Sequence, residues 1–319
     1  MQSGQKIQAN EKPATSRSYV VWMAETLLLI AAAAGLFAWF NFRQDMLGLH
    51  GRSPVEIYAL ERYSKYLMSY RYVPDHFDGI LLSNSVAANW DTGQFTKYRV
   101  FNAGLRGSTI AEEKLIVDNS VNRGHMKMAI IVLLPSLTGS HDMRTAYMTP
   151  HDYYASFGSV QTLIVDAQAA MERFGPRLHL PASAAKHKFE PDGAMNFPMA
   201  RDPSTAIPPL NEEELRGDPV AVDELKEILE NLHAHGIKVY AVYAPLYAAR
   251  WTSPQGPELR AWMDKTTALF SPQDTIIDLN DGQLAALEAD RENFPDYLHL
   301  TSEAASKVMA DVVARIEHP

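Results

Sequence analysis

The 319-residue chain contains no cysteine. That excludes disulfides, thiolate metal sites and cysteine nucleophiles, and leaves stability to ordinary packing. The chain also lacks a basic surplus: 29 lysines and arginines stand against 38 aspartates and glutamates, a formal net charge of −9, and the basic residues do not cluster. Binding to nucleic acid needs a concentrated positive surface to neutralise phosphates, so no nucleic-acid partner is expected. Internal repeats and low-complexity tracts are absent as well. What remains is an ordinary globular composition, 46% apolar, long enough for one large domain or two smaller ones.

One long hydrophobic run is present. Residues 20–42, "VVWMAETLLLIAAAAGLFAWFNF", have about the length, roughly 20 residues, that spans a bilayer core as a helix. Glu25 is the only charge in it and lies within two turns of one end, close enough to reach the headgroups, while Trp22, Trp39 and Phe40 stand where interfacial aromatics anchor a span. The competing reading is a cleaved signal peptide, but bulky Trp39, Phe40 and Phe42 directly follow the small residues that a peptidase would need. Lys6, Lys12 and Arg17 precede the run, and Arg43 and Arg52 follow it. This slight excess predicts a cytoplasmic tail over 1–18, a transmembrane helix over 19–42 and a periplasmic or extracellular body.

Residues 43–77 read as a connecting arm with one helix, since Ile57, Leu60, Tyr63 and Leu67 recur at helical spacing. Beyond it, five short apolar runs predict strands at 79–83, 99–103, 128–134, 237–244 and 275–279. Amphipathic helical patterns at 108–124 and 218–236 alternate with them, the second stopped by Gly236. Apolar strands alternating with helices predict an α/β fold, a parallel sheet covered on both faces. The interval of about 139–220 breaks the rhythm with proline and polar clusters and reads as an insertion with one helix near 159–173.

In open parallel sheets ligands bind outside the carboxyl ends of the strands. Ser85 follows the first strand, in "GILLSNSVAANW", and is either a helix cap or a nucleophile. The loop after the second strand, "NAGLRGST" at 102–109, makes the N–H of Gly107 a candidate oxyanion donor. After the fifth strand, "DYLH" sets Asp296 three residues before His299, so the acid can fix one imidazole nitrogen and leave the other to take a proton from Ser85. Thr301 or Ser302 would cap the last helix behind them. Singly each feature has a bland reading as a cap, a turn or a surface pair. Their order on one alternating chain favours the joint reading.

These residues carry a resemblance: from about 78 to 319 the chain resembles the SGNH, or GDSL-like, hydrolase superfamily. The resemblance implies a three-layer α/β/α sandwich with a roughly five-stranded parallel sheet, flavodoxin-like in arrangement. It also implies that Ser85 is the nucleophile, with Asp296 and His299 its partners and the N–H groups of Ser85 and Gly107 the oxyanion donors. The family's first block is commonly Gly-Asp-Ser or Gly-Ser-Ser and stands here as Ser83-Asn84-Ser85. Its third block, Gly-x-Asn-Asp, is replaced in "IVLLPSLTGS", where Leu137 stands at the asparagine position and Ser136 or Thr138 is the candidate substitute donor.

The single N-terminal helix and "FEPDGAMNF" at 189–197 resemble envelope members of the superfamily that work with membrane-bound O-acyltransferases on polysaccharides. The resemblance therefore implies a single-pass protein of a bacterial inner membrane. Such a protein forms an acyl-serine without a cofactor and handles O-acyl groups, acetyl above all, of a polysaccharide, a wall polymer or a small ester. The alternatives are an esterase or deacetylase using the same residues, a lipase or thioesterase at the membrane surface, and a degenerate domain that binds glycan or a partner protein.

Arg106, His141 and Tyr247 are candidate substrate contacts; Tyr243 and Pro245 would line the rim. His141-Asp142 with His151-Asp152, and His233 with His235, do not make a ligand set for a metal, and the last two fit a helix terminus better.

Overall fold

The computed structural model describes residues 16–45, 47–51, 61–142, 150–174, 188–196 and 207–318. The N-terminal tail, Ile57 and Leu60 of the arm, and residues 201–206 of the proline-rich stretch lie outside the described residues. The apolar N-terminal segment is helix α1 (Ser16–Gln44), and α2 (Glu61–Tyr70) and α3 (Tyr72–His76) lead into strand β1 (Gly79–Leu82). Strand β2 (Val100–Asn102), helix α4 (Ile110–Val121) and strand β3 (Met128–Leu133) follow. Next come α5 (Pro150–Ala155), α6 (Val160–Phe174), an antiparallel ribbon of β4 (Lys188–Phe189) and β5 (Met195–Asn196), α7 (Glu212–Arg216) and α8 (Pro219–Ala234). Strand β6 (Lys238–Tyr243), α9 (Gly256–Thr267), β7 (Thr275–Asp278), α10 (Ala285–Ala289) and α11 (Ser302–Glu317) complete the chain.

The five apolar runs form one parallel sheet in the order β2-β1-β3-β6-β7. All six residues of β3 and all four of β1 are buried, which only a strand covered on both faces allows. The step from β1 to β2 runs one way across the sheet and every later step runs the other way. Right-handed crossovers therefore put α4, α8 and α9 on one face and the 83–99 segment on the other. The direction of travel reverses between β1 and β3, and at that switch point the loops after the strands diverge and open a crevice.

Local chemistry sets the ends of the helices. Asp218 caps α8 by accepting from the N–H groups of Val220 and Ala221, Pro219 opens its first turn, and Gly236, at φ +67°, lets the chain leave it. Thr301 caps α11 through the N–H of Ala304. The described residues of the 43–77 stretch pack into the body: Leu47, Leu49, Tyr66, Leu67 and Met68 are buried core residues. At the far end of α1, Asn41 donates to the Phe157 carbonyl at 2.7 Å, and the His50 ring stacks on Phe157 with a centroid separation of 5.5 Å.

The Asp-Gly segment of the insertion docks on the sheet edge. The Asp192 carbonyl accepts from the N–H of Asn102 at 2.6 Å, and the Met195 N–H donates to the Ala88 carbonyl at 2.7 Å. Gly193 sits between them at φ +89°, where an added Cβ would lie 2.1 Å from the Asn102 oxygen. Gly193→Ala should therefore combine left-handed strain with overpacking and lower stability by about 2–4 kcal/mol, read from urea unfolding. A loss within about 0.5 kcal/mol, the range of a neutral surface change, would show that the segment does not hold this edge.

Candidate active site

Beyond β1 the chain turns sharply, and the Asn84 side chain organises the turn. Its oxygen accepts from the N–H of Val86 at 3.1 Å, which leaves its nitrogen to donate to Ser136 Oγ at 2.7 Å, after β3. Ser85 is presented at the surface, and its Oγ lies 2.8 Å from His299 Nε2. The bland reading of Ser85 as a helix cap does not describe this contact: 85–89 is turn, not helix. On the other side of the ring, His299 Nδ1 lies 2.6 Å from Asp296 Oδ2. Asp296 Oδ1 accepts from the N–H groups of Leu298 and His299 at 3.1 and 2.8 Å.

Burial works against ionising Asp296, but the hydrogen bonds from the His299 ring and from these N–H groups outweigh it and hold the carboxyl below its ordinary value. An ionised carboxylate only accepts, so Nδ1 carries the ring proton and Nε2 is left to accept from the Ser85 hydroxyl. The loop that carries the acid is held from outside. Arg250, buried, donates to the Tyr297 carbonyl at 3.2 Å and to the Pro208 carbonyl at 3.0 Å. Tyr297 itself is in the left-handed region at φ +65°, a strained conformation for a bulky residue, and its ring packs against Tyr247.

The 102–109 loop lies beside the Ser85 turn. The Ser83 carbonyl accepts from the N–H of Leu105 at 3.0 Å. Asn102 joins the two loops, donating to the carbonyls of Ala87 and Trp90, both at 2.8 Å, and accepting from the N–H of Gly104 at 2.9 Å. Gly107 turns at φ +61°. Among the described residues, neither the N–H of Ser85 nor that of Gly107 has an acceptor, which leaves both for a ligand.

Helix α2 grips the outer side of this loop. Lys65, fully buried, donates to the carbonyls of Asn102 and Gly104 at 3.0 and 2.7 Å. Glu61 accepts from the backbone N–H and the Nε of Arg106 at 3.1 and 2.8 Å, and Arg62 donates to the Arg106 carbonyl while pairing with Glu112. Burial pulls the Lys65 ammonium down to about 8, against the attraction of Glu61, Glu113 and Asp192. Glu113 is pushed the other way: burial raises its carboxyl to about 8, against the hydrogen bond from Ser108 and the pull of Lys65. Protonated, Glu113 donates to Ser108 Oγ at 2.8 Å, and that hydroxyl is then free to donate to the carbonyl of Leu105 or Ser83.

The other residues singled out in the sequence have these positions. Leu137, at the place where the resemblance expects an amide donor, is fully buried; Ser136 is joined to the Ser85 turn through Asn84. Thr138 is buried, and its carbonyl accepts from Asp218. Arg106 is tied to Glu61, His141 to Asp218 at 2.9 Å, and Tyr247 packs on Phe294 and Tyr297. His235 meets the Asn231 carbonyl at the end of α8, whereas His233 pairs with Asp274 at 2.8 Å.

Sequence reasoning missed Asn84, Asn102, Lys65 and Arg250. Asn102 and Asn84 had a signal, an amide immediately beside a candidate loop. Lys65 and Arg250 had none, because a basic residue on a helix or loop reads as solvated.

No family model and no curated protein sequence matches the chain. Among solved structures it is similar to a GDSL-like lipase from Bacteroides thetaiotaomicron (13% identity over 81% of this chain and 98% of that one, TM-score 0.40). It is also similar to a candidate acylhydrolase from Bacteroides fragilis (13% identity, 75% and 85%, TM-score 0.39). A third is a candidate platelet activating factor from Streptococcus pneumonia (11% identity, 91% and 99%, TM-score 0.44).

The buried pair under the loop gives a pH test. The folded value of Glu113 lies above the ordinary 4.5, so its contribution to stability is full at low pH and is lost as pH rises through the window from 4.5 to about 8. Glu113→Gln keeps a donor for Ser108 and removes the titration. The stability of the variant relative to the parent should rise between those limits, followed by urea unfolding across the window. A difference that stays flat with pH would mean that Glu113 is ionised throughout.

Proposed function

We propose that the protein is a serine acyl-transfer enzyme, of the SGNH type that its motifs resemble, anchored to a membrane by α1. The observation that carries the reading is the hydrogen-bonded chain Asp296–His299–Ser85, 2.6 and 2.8 Å long at its two links, at the switch point of the sheet. Ser85 Oγ attacks an ester carbonyl carbon as His299 Nε2 takes the hydroxyl proton, and Asp296 stabilises the imidazolium. The N–H groups of Ser85 and Gly107 receive the carbonyl oxygen as it becomes negative. Collapse breaks the ester bond, His299 returns the proton to the leaving alkoxide, and an acyl-serine remains. A second hydroxyl, from water or from a sugar, then attacks with its proton passing to His299, and Ser85 is released.

With water the enzyme is an esterase or deacetylase; with a sugar hydroxyl it is an O-acyltransferase. The finer reading follows the resemblance: an acetyl group, a polysaccharide or wall polymer, a membrane-bound O-acyltransferase partner and a periplasmic body at the bacterial inner membrane. The apolar segment of α1, Tyr19–Gln44, supports the anchor: its 26 residues reach about 39 Å as a helix, against roughly 30 Å of bilayer hydrocarbon. One observation favours a degenerate binding domain instead, the loss of the third-block donor to Leu137. The Ser136 hydroxyl answers it: because it accepts from Asn84, its own proton is free to be donated to the oxyanion.

Full-length protein in lipid nanodiscs with p-nitrophenyl acetate tests the reading. A transient gain of one acetyl group on intact mass should accompany nitrophenol release, and both should vanish in Ser85→Ala, with turnover down by at least about 10³-fold. Absence of an adduct in folded protein would favour the binding domain. Ser136→Ala should lower kcat on the order of 10²-fold with little change in KM, the signature of a donor used only in the transition state. An unchanged kcat would leave the hole with two donors.

A further inference from the structure

Helix α6 presents an apolar stripe to the outside. Val160, Leu163, Ile164, Ala167 and Met171 recur at i, i+3, i+4, i+7 and i+11, one face of a helix, and this is the exposed face: Val160 is 68%, Leu163 52%, Ile164 45% and Met171 41% accessible. The opposite face is the one packed on the body, with Thr162 and Val165 buried. Burial of one side therefore fixes which residues point outward, and they are the wrong ones for water. A contiguous apolar stripe held outward marks a surface made to be covered.

Its place in the fold says by what. Residues 156–158, directly before α6, form the turn that receives the end of α1. Asn41 donates to the Phe157 carbonyl, and the rings of Phe42 and His50 pack on the Phe157 ring with centroids 5.8 and 5.5 Å away. The apolar part of α1 is longer than a bilayer core by several residues, so its last turns, with exposed Trp39 and Phe40, fall at headgroup depth. Tyr154, three residues before Phe157, is exposed as well. The stripe thus begins three residues from a contact with the interfacial end of the span.

We infer that α6 lies in the membrane–water interface with Val160, Leu163, Ile164 and Met171 in the lipid, a second attachment point beside α1. This rests on the reading of α1 as a bilayer span. A helix apolar on one side and packed on protein on the other buries its free face at the boundary between headgroups and acyl chains. The span already brings that boundary to Phe157, so lipid covers the stripe without a further partner. The two attachments together would restrict rotation of the body about the α1 axis, which one helix alone does not do.

The absence of cysteine makes the test direct. Single variants Leu163→Cys, Met171→Cys, Leu29→Cys in the span and Lys307→Cys on α11 are labelled with an environment-sensitive fluorophore in the full-length chain. Each is reconstituted into phosphatidylcholine–phosphatidylglycerol vesicles at high lipid excess. Labels at 163 and 171 should be quenched by lipids bearing a nitroxide high on the acyl chain and shielded from aqueous iodide; the label at 29 should respond to a deep nitroxide and that at 307 to iodide alone. Iodide quenching at 163 and 171 while position 29 remains in lipid overturns the inference and leaves the span intact. Shielding from both quenchers overturns it in favour of a second copy of the chain covering the stripe. A label at 29 that meets no lipid removes the span itself, and the inference with it.

Discussion

The arrangement around the candidate nucleophile depends on one buried ammonium. Lys65 has no water to solvate it, and a buried cation survives only where the surroundings supply acceptors and opposite charge. The carbonyls of Asn102 and Gly104 are those acceptors, and Glu61 on the same helix is the first source of opposite charge. The same two carbonyls belong to the loop that carries Gly107. Solvating the lysine and fixing the loop are thus one set of bonds, and α2 cannot shift without leaving either the ammonium or the carbonyls unsatisfied.

At the other end of the site the restraint is conformational. Asp-x-x-His brings acid and imidazole together within one turn, but the turn runs through Tyr297 in the left-handed region, which the chain adopts only under outside constraint. Arg250 on the Tyr297 carbonyl, Tyr247 against its ring and Arg291 over its face at 3.6 Å from the centroid are that constraint. Asp296 and His299 are therefore held by packing from the loop between β6 and α9 and from the segment between α10 and α11, not by their own hydrogen bond alone.

Much of this was legible in the sequence because two signals were strong. Strands buried on both faces are continuous apolar runs, so "GILL", "MAIIVL" and "KVYAVY" announce themselves, and with them the strand ends where Ser85 and the 102–109 loop belong. Asp296 and His299 were legible for the opposite reason, a polar pair at fixed spacing before a capped helix. The 43–77 stretch was not: α2 buries Glu61, Ser64, Lys65 and Ser69, residues that read as a solvated face, so periodicity gave a helix and concealed what it holds. In α6 the difficulty is symmetry. Apolar residues fall on two faces, 160-163-164-167-171 and 162-165 with its threonine, and nothing local says which one the body takes.

These restraints join into one mechanical path. The Phe42 ring at the end of α1 packs on Phe157, Phe157 on Tyr153, and Tyr153 on Tyr70 of α2, which delivers Glu61, Arg62 and Lys65 to the Gly107 loop. On the proposed reading, a membrane span thus ends within a few side-chain contacts of the oxyanion donors. An anchor that served only to retain the enzyme at a membrane would need no such path, since a flexible linker retains as well and allows a greater reach. A stiff connection instead fixes the height and facing of Ser85 above the bilayer. That is useful when the acyl donor or acceptor is itself held at a fixed depth, and it costs access to substrates free in solution. On that same reading, the packing of α2 and the end of α1 favours a substrate presented at the membrane over one that diffuses to it.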